Sequence, residues 1–342
     1  MILEIKKRRQ SNLELLRIVA ILMIMYGHTH MRMDIIEHGS KVAQISATSI
    51  FNTMMSCIAT TGVGIFIAIS GWFGIRFKTS GLSKYLYIVL FSLWAVYGVA
   101  IASGTTELNL EGIKISLGFY HGYWFIMGYL GLYLISPILN LFIEYATKKE
   151  YKIVLLSYFL FQAYYSWLSG WYDYYNGYSI IMFGGIYLTA AYVRKYPIGF
   201  LQKHSNTLII ATILLMSCVA YLSLWKFGNA ARQIRDDNPL VILLSILFVL
   251  SFNKLKFQSR VINWLAASCF AVYLIHFSPY VYPYLMQGVG YVYNHFDGVI
   301  YAALLLLLFF AVYIACTLFD QIRILTWNLI YRYTRGAKTN NS

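Results

Sequence analysis

Three side chains with chemistry to offer, Glu14, Arg17 and His28, stand inside one apolar run, Ser11 to His30 (SNLELLRIVAILMIMYGHTH). A charged or titratable group in a membrane helix costs roughly 2.5 to 3.5 kcal/mol on insertion scales, so such groups face a partner or a wet cavity. At about 100° per residue the eleven steps from Arg17 to His28 leave them about 20° apart around a helix and about 16 Å apart along it. They share a face. Glu14 lies one turn before Arg17, the spacing at which opposite charges on a helix meet. An imidazole titrates near neutral pH, so His28 can take a proton from a hydroxyl and return it as a general base. A guanidinium suits phosphate or thioester oxygens of a donor held at the inner surface. The plainer readings are an Arg17–Glu14 ion pair that positions the helix, an Arg17 that snorkels to the inner surface, and a His28 satisfied by a neighbouring helix. His30, nearer the outer surface, is read as solvated.

Other stretches carry fewer groups. GVGIFIAISGWFGIRFK, Gly62 to Lys78, sets small residues, Ser70 among them, between bulky ones, which lets helices approach closely. Arg76 and Lys78 follow and could meet phosphates, although topology alone accounts for basic residues there. GYWFIMGYLGLYLISPILN, Gly122 to Asn140, places Trp124 at the outer interface and Pro137 as an expected kink. In SCFAVYLIHFSPYVYP, His276 is a second titratable group in mid-membrane, open to a functional role or to helix-to-helix hydrogen bonding. Cys57, Cys218, Cys269 and Cys316 fall in apolar runs without CxxC spacing and are read as inert thiols, with no metal site. There is no GxSxG, HExxH, P-loop or strand-linked GxGxxG, which sets aside hydrolases and metalloenzymes with a familiar site.

The elements that must position these groups follow from composition. The 342 residues are 59% apolar and 12% charged, with a mean hydropathy of +0.61. A soluble domain would have about a quarter of its residues charged, so the fold class is an all-α polytopic integral membrane protein. Ten spans are expected, near 12–31, 46–74, 84–103, 121–143, 152–170, 178–193, 207–225, 239–253, 263–284 and 298–319, the second tilted or broken. The first run stays as a transmembrane helix, since no small-residue cleavage site follows it. Of the 27 lysines and arginines, twenty fall in alternate connections and tails and six in the others. That bias places both termini in the cytoplasm. The net charge of +14 therefore reads as topology, with no nucleic acid partner. One domain, 1–342, is expected, with a short N-terminal segment 1–11 and a basic tail from about 320 that continues as a helix on the anionic inner leaflet, in contact with membrane lipids.

The outer loops hold carboxylates such as Asp173, Asp236 and Asp237 beside aromatics including Trp167, Trp171 and Tyr172. Aromatic faces beside carboxylates suit a sugar; a Trp and Tyr belt is equally what any membrane interface carries. Spans with intramembrane His and Arg also suit a transporter or flippase of a lipid-linked glycan.

Four stretches together resemble the membrane-bound acyltransferase family 3. NLELLRIVAILMIMYGH resembles its first helix, with ten residues between the arginine and the histidine. IFIAISGWFGIRF resembles its phenylalanine-rich run ending in Ser-Gly, YWFIMGYLGLYLISPILN its Trp-Phe…Leu-Tyr…Pro helix, and FAVYLIHF its late Tyr-Leu-x-His segment. The resemblance implies an integral protein of the bacterial inner membrane that moves an acyl group, usually acetyl from acetyl-CoA, to a hydroxyl of an envelope polysaccharide or lipid-linked oligosaccharide. No permanently bound cofactor is implied. It makes Arg17 and His28 the essential pair, with Arg17, Arg76 and Lys78 as donor-binding candidates and Glu14, Ser70, Trp124 and His276 in support. Some members carry a fused hydrolase-like domain; without one, the acceptor is expected to reach the membrane cavity itself.

Overall fold

A computed structural model describes residues 9–29, 47–169, 179–227 and 234–339. His30 and the loop residues Trp171, Tyr172 and Asp173 lie outside the described residues. Among the described residues every regular element is helical. The chain divides into two compact units, Met1–Phe77 with Met127–Ala266, and Lys78–Ile126 with Ala267–Ser342.

The first unit is built on α1 (Ser11–Gly27). No residue from Ser11 to His28 is exposed, so this helix is surrounded by protein, which agrees with an apolar composition on every face. It packs against α2 (Ala47–Ala59), α3 (Thr61–Phe73), α10 (Pro239–Asn253) and α11 (Arg260–Ala266). Between α1 and α10 in chain order come α6 (Trp124–Tyr145), α7 (Lys148–Phe161), α8 (Ile180–Lys195) and α9 (Gly199–Phe227), after α4 (Thr79–Ala102) and α5 (Leu110–Ser116) of the second unit. The local signals are conventional. Thr147 and Glu150 form a capping box at the start of α7, and Asn238 followed by Pro239 opens α10. A π-helical turn, Gln162–Leu168, extends α7.

α3 and α8 pack most closely at Gly71. A Cβ there would lie 2.3 Å from the Tyr187 carbonyl oxygen and 2.8 Å from the Tyr187 Cα, both backbone atoms that cannot swing away. Gly71→Ala therefore forces the helices apart and is expected to destabilise the protein by about 1 to 3 kcal/mol. Gly98 of α4 has open space around its Cβ position, so Gly98→Ala gains helix propensity and lowers stability by nothing. Thermal unfolding of the detergent-solubilised variants compares the two; equal melting temperatures would contradict the α3–α8 contact.

The second unit comprises α4 (Thr79–Ala102), α5 (Leu110–Ser116), the first residues of α6, α12 (Cys269–His276), α13 (Tyr282–His295) and α14 (Gly298–Thr339). α12 packs against α4 and α14. The basic tail continues as helix, since α14 runs 42 residues to Thr339.

Among the described residues five helices are long and apolar enough to cross a membrane: Ile50–Phe73, Thr79–Ala102, Trp124–Tyr145, Gly199–Phe227 and Gly298–Tyr331. The remaining apolar runs fold as shorter helices: α1 has 17 residues, α8 16 and α10 15. At 1.5 Å per residue, α1 is about 25 Å long, short of the roughly 30 Å hydrocarbon layer. The long second run divides at Thr60 between α2 and α3, although Thr60 itself keeps helical dihedrals (φ −57°, ψ −24°). The stretch 263–284, expected as one span, is instead the end of α11, α12, a turn through Ser278 and the start of α13. Its apolar run conceals breaks at Ser268 and beside Pro279, which hydropathy does not register. Among the described residues no disulfide forms: Cys57, Cys269 and Cys316 are buried thiols, and Cys218 is exposed on α9.

Candidate functional site

Glu14 and Arg17 meet as their spacing requires, Arg17 donating to a Glu14 carboxylate oxygen at 2.9 Å. The pair is lopsided. The Glu14 side chain is 9% exposed and that of Arg17 30%, so the guanidinium leans toward solvent from a buried carboxylate. The second oxygen of Glu14 is buried without a hydrogen-bond partner among the described residues. Its place in the first turn of α1 sets that negative charge against the positive end of the helix dipole.

His28 closes the same helix. Its backbone remains α-helical (φ −81°, ψ −10°) and its N–H donates to the Ile24 carbonyl at 2.9 Å. The register thus continues through His28, which keeps Arg17 and His28 on one face about 16 Å apart. The His28 side chain is half-buried. Nearby, Tyr26 donates to the Asn52 side chain at 3.0 Å and ties this end of α1 to α2.

Between the two groups the face is closed. Ala20 and Ile21 are 0% and 1% exposed, and Gly62 of α3 presses on this level of α1. A Cβ at Gly62 would come within 2.7 Å of Ile24 Cγ1 and 2.8 Å of the Ala20 carbonyl oxygen. Two partly accessible ends are therefore separated by a tightly packed waist.

The other candidates are dispersed. Arg76 and Lys78 are exposed in the connection after α3, which ends at Gly74 with φ +78°, a conformation glycine adopts freely. The end of α3 is clasped from two helices. The Ile75 N–H donates to Tyr187 Oη at 2.9 Å, Asn140 donates to the Ile75 carbonyl at 2.7 Å, and Tyr187 donates to Asn140 at 2.6 Å. Arg194 donates to the Trp72 carbonyl and lies over the Trp72 ring. Asn140, Tyr187 and Arg194 thus position the segment that carries Arg76. Only a polar residue at the end of an apolar run marks Asn140 in the sequence; nothing there links it to Tyr187. Ser70 donates to the Phe66 carbonyl of its own helix at 2.9 Å and sits 3.3 Å from Tyr129 Oη.

In the second unit, Trp124 is half-buried at the start of α6. His276 is fully buried between the rings of Tyr273 and Phe277, with Nδ1 2.7 Å from the Val272 carbonyl. A carbonyl only accepts, so Nδ1 carries the proton and Nε2 is left as the acceptor.

One further polar cluster lies at the far end of the first unit. Arg235 donates to Asp237 through two nitrogens and to the Ser166 carbonyl at 3.1 Å, and the Ser166 hydroxyl donates to the same fully buried Asp237. One turn along the π-helical segment, Gln162 is fully buried with both amide atoms unpartnered among the described residues. A cavity of about 280 Å³ among α7, α8, α9 and α10 is lined mainly by apolar side chains, with Thr189 and Tyr192 as its polar members.

No curated protein and no solved structure matches this chain. Residues 10–320 match the family described as Acyltransferase domain, acyltransferase family 3. That match begins just before α1 and takes in Arg17, His28 and every helix through the apolar part of α14, nearly the whole chain. The chain belongs to acyltransferase family 3, a family of membrane acyltransferases.

Proposed function

We propose that the protein moves an acyl group, acetyl in the first instance, from cytoplasmic acyl-CoA to a hydroxyl of an extracytoplasmic or lipid-linked envelope saccharide in the bacterial inner membrane. The observation that carries the reading is α1 itself: one protein-enclosed helix with a partly exposed guanidinium near its start and a half-buried imidazole at its end. The basic residue bias puts the Arg17 end on the cytoplasmic side, where acyl-CoA is available. Arg17, with Arg76 and Lys78, engages the donor phosphates, and the pantetheine arm has to part the waist at Gly62 to bring the thioester about 16 Å along α1 to His28. His28 takes the proton from the acceptor hydroxyl as that oxygen attacks the acyl carbonyl, and the thiolate of coenzyme A leaves. If His28 carries the acyl group first, the ring nitrogen attacks in place of the hydroxyl and the hydroxyl then displaces it.

Glu14 is a positioning residue in this scheme, holding the guanidinium through one oxygen. The test is mass spectrometry of the envelope polysaccharide from cells with and without the gene. A loss of about 42 Da per repeating unit, the mass added when acetyl replaces a hydroxyl hydrogen, supports the reading; an unchanged polysaccharide and lipid-linked precursor would refute it.

A further inference from the structure

We propose that the apolar cavity among α7, α8, α9 and α10, with the lysines beside it, binds one anionic glycerophospholipid of the inner leaflet, an acyl tail in the cavity and the phosphodiester between Lys148 and Lys195. The inference goes beyond acyl transfer and does not depend on it. The cavity, about 280 Å³, lies within the first unit. Leu155 of α7, Val193 of α8 and Ile246 of α10 are buried in its wall, whereas Ile198 and Leu243 at its rim are 39% and 38% exposed, so the cavity opens on the outside of the four helices. The Thr189 hydroxyl is spent on the Gly185 carbonyl at 2.7 Å. What remains is a wall that suits hydrocarbon. An alkyl tail gains little by leaving the bilayer for such a wall, so selectivity has to come from the headgroup end.

That end carries converging charge. The ring of Tyr192, in the cavity wall, is 5.1 Å from the ring of Tyr196. The Lys148 ammonium lies 5.3 Å from the centre of the Tyr196 ring and the Lys195 ammonium 5.4 Å, so cations from α7 and α8 stand no more than about 11 Å apart on one aromatic ring. Lys195 is six residues beyond Thr189, about 9 Å along α8. Residues 144–152 and 194–203 hold six basic side chains against two carboxylates, Glu144 and Glu150. Glu150 is engaged by Thr147, and Arg194 by Trp72. Positive-inside topology explains basic residues at these helix ends. It does not explain two ammonium groups drawn to one ring beside an apolar cavity, where they repel each other unless an anion lies near both. A phosphodiester supplies that charge, and basic pockets between membrane helices on the cytoplasmic side are where anionic headgroups bind.

The test is native mass spectrometry of the purified full chain in detergent, titrated with dioleoylphosphatidylglycerol or dioleoylphosphatidylcholine. The wild type is expected to retain one phosphatidylglycerol in preference to phosphatidylcholine. Lys148→Gln/Lys195→Gln is expected to weaken it about tenfold or more. Lys148→Gln alone weakens it in the same direction and leaves untouched the bonds from Lys195 to the Ile143 and Glu144 carbonyls. Thr189→Phe fills the cavity, changes no charge and weakens the same lipid from the tail end. Melting curves establish which variants are folded. Equal retention of the two lipids by the wild type, or unchanged phosphatidylglycerol affinity in the folded lysine variants, would overturn the site. Palmitoyl-CoA that displaces the lipid at concentrations below those at which phosphatidylglycerol itself binds would assign cavity and lysines to a long-chain thioester, and overturns it too.

Discussion

His28→Ala leaves the protein folded in the membrane and lowers acyl transfer by about 10² to 10⁴-fold, the range that removal of a general acid–base group produces. The fold survives because this end of α1 keeps the His28 N–H bond to the Ile24 carbonyl and the Tyr26 bond to Asn52, neither of which uses the imidazole. The loss is chemical because the acceptor hydroxyl then has no base at the end of α1. Arg17→Lys keeps the charge and loses the bidentate geometry, so its main effect falls on the donor KM. The measurement is acetyl transfer by membranes carrying equal amounts of each protein, determined by immunoblot. Acetylation of the envelope glycan at the wild-type level in His28→Ala would remove His28 from the reaction. An acyl group trapped on His28 by rapid acid quench, located by peptide mass, separates the covalent route from direct transfer.

Breaking the Asp320–Arg323 pair from one side destabilises the protein by about 3 to 5 kcal/mol, whereas removing both charges costs far less. The two side chains are 1% and 4% exposed and face each other through two hydrogen bonds, at 2.5 and 2.7 Å, one turn apart on α14. Arg323→Met strands the carboxylate in a buried place, and Asp320→Asn strands the guanidinium. The double variant strands neither. Thermal unfolding in detergent of the two single variants and the double variant gives the coupling directly. Single variants that cost no more than about 1 kcal/mol each would mean that water reaches the pair.

How much of this was readable beforehand depends on the range of the interaction. The Glu14–Arg17 contact lies within one turn, and spacing alone foretold it. The run of small residues from Gly62 to Gly71 foretold close helix approach, and Gly62 and Gly71 do make such approaches, to α1 and α8. The clasp of Ile75 by Asn140 and Tyr187 joins residues 65 and 112 positions away, and no local pattern encodes it. The breaks in 263–284 were hidden for a different reason. A hydropathy window averages over Ser268, where α12 starts anew, and over a proline that stops a helix by ring geometry rather than by polarity. Nothing in the sequence marks Asp320, because its partner, Arg323, reads there as an ordinary positive-inside residue.

The waist at Gly62 bears on bioenergetics. A bacterial inner membrane stores work as a voltage, about 2.3 kcal/mol for each unit charge carried across 100 mV, and a wet thread joining the two compartments would let protons run that store down. Among the described residues, the close approach of α3 to α1 at Gly62 leaves no room for such a thread along that face of α1. On the proposed reading, a catalyst drawing its donor from one compartment and its acceptor from the other would have to hand on a small neutral acyl group while remaining as electrically tight as the lipid around it.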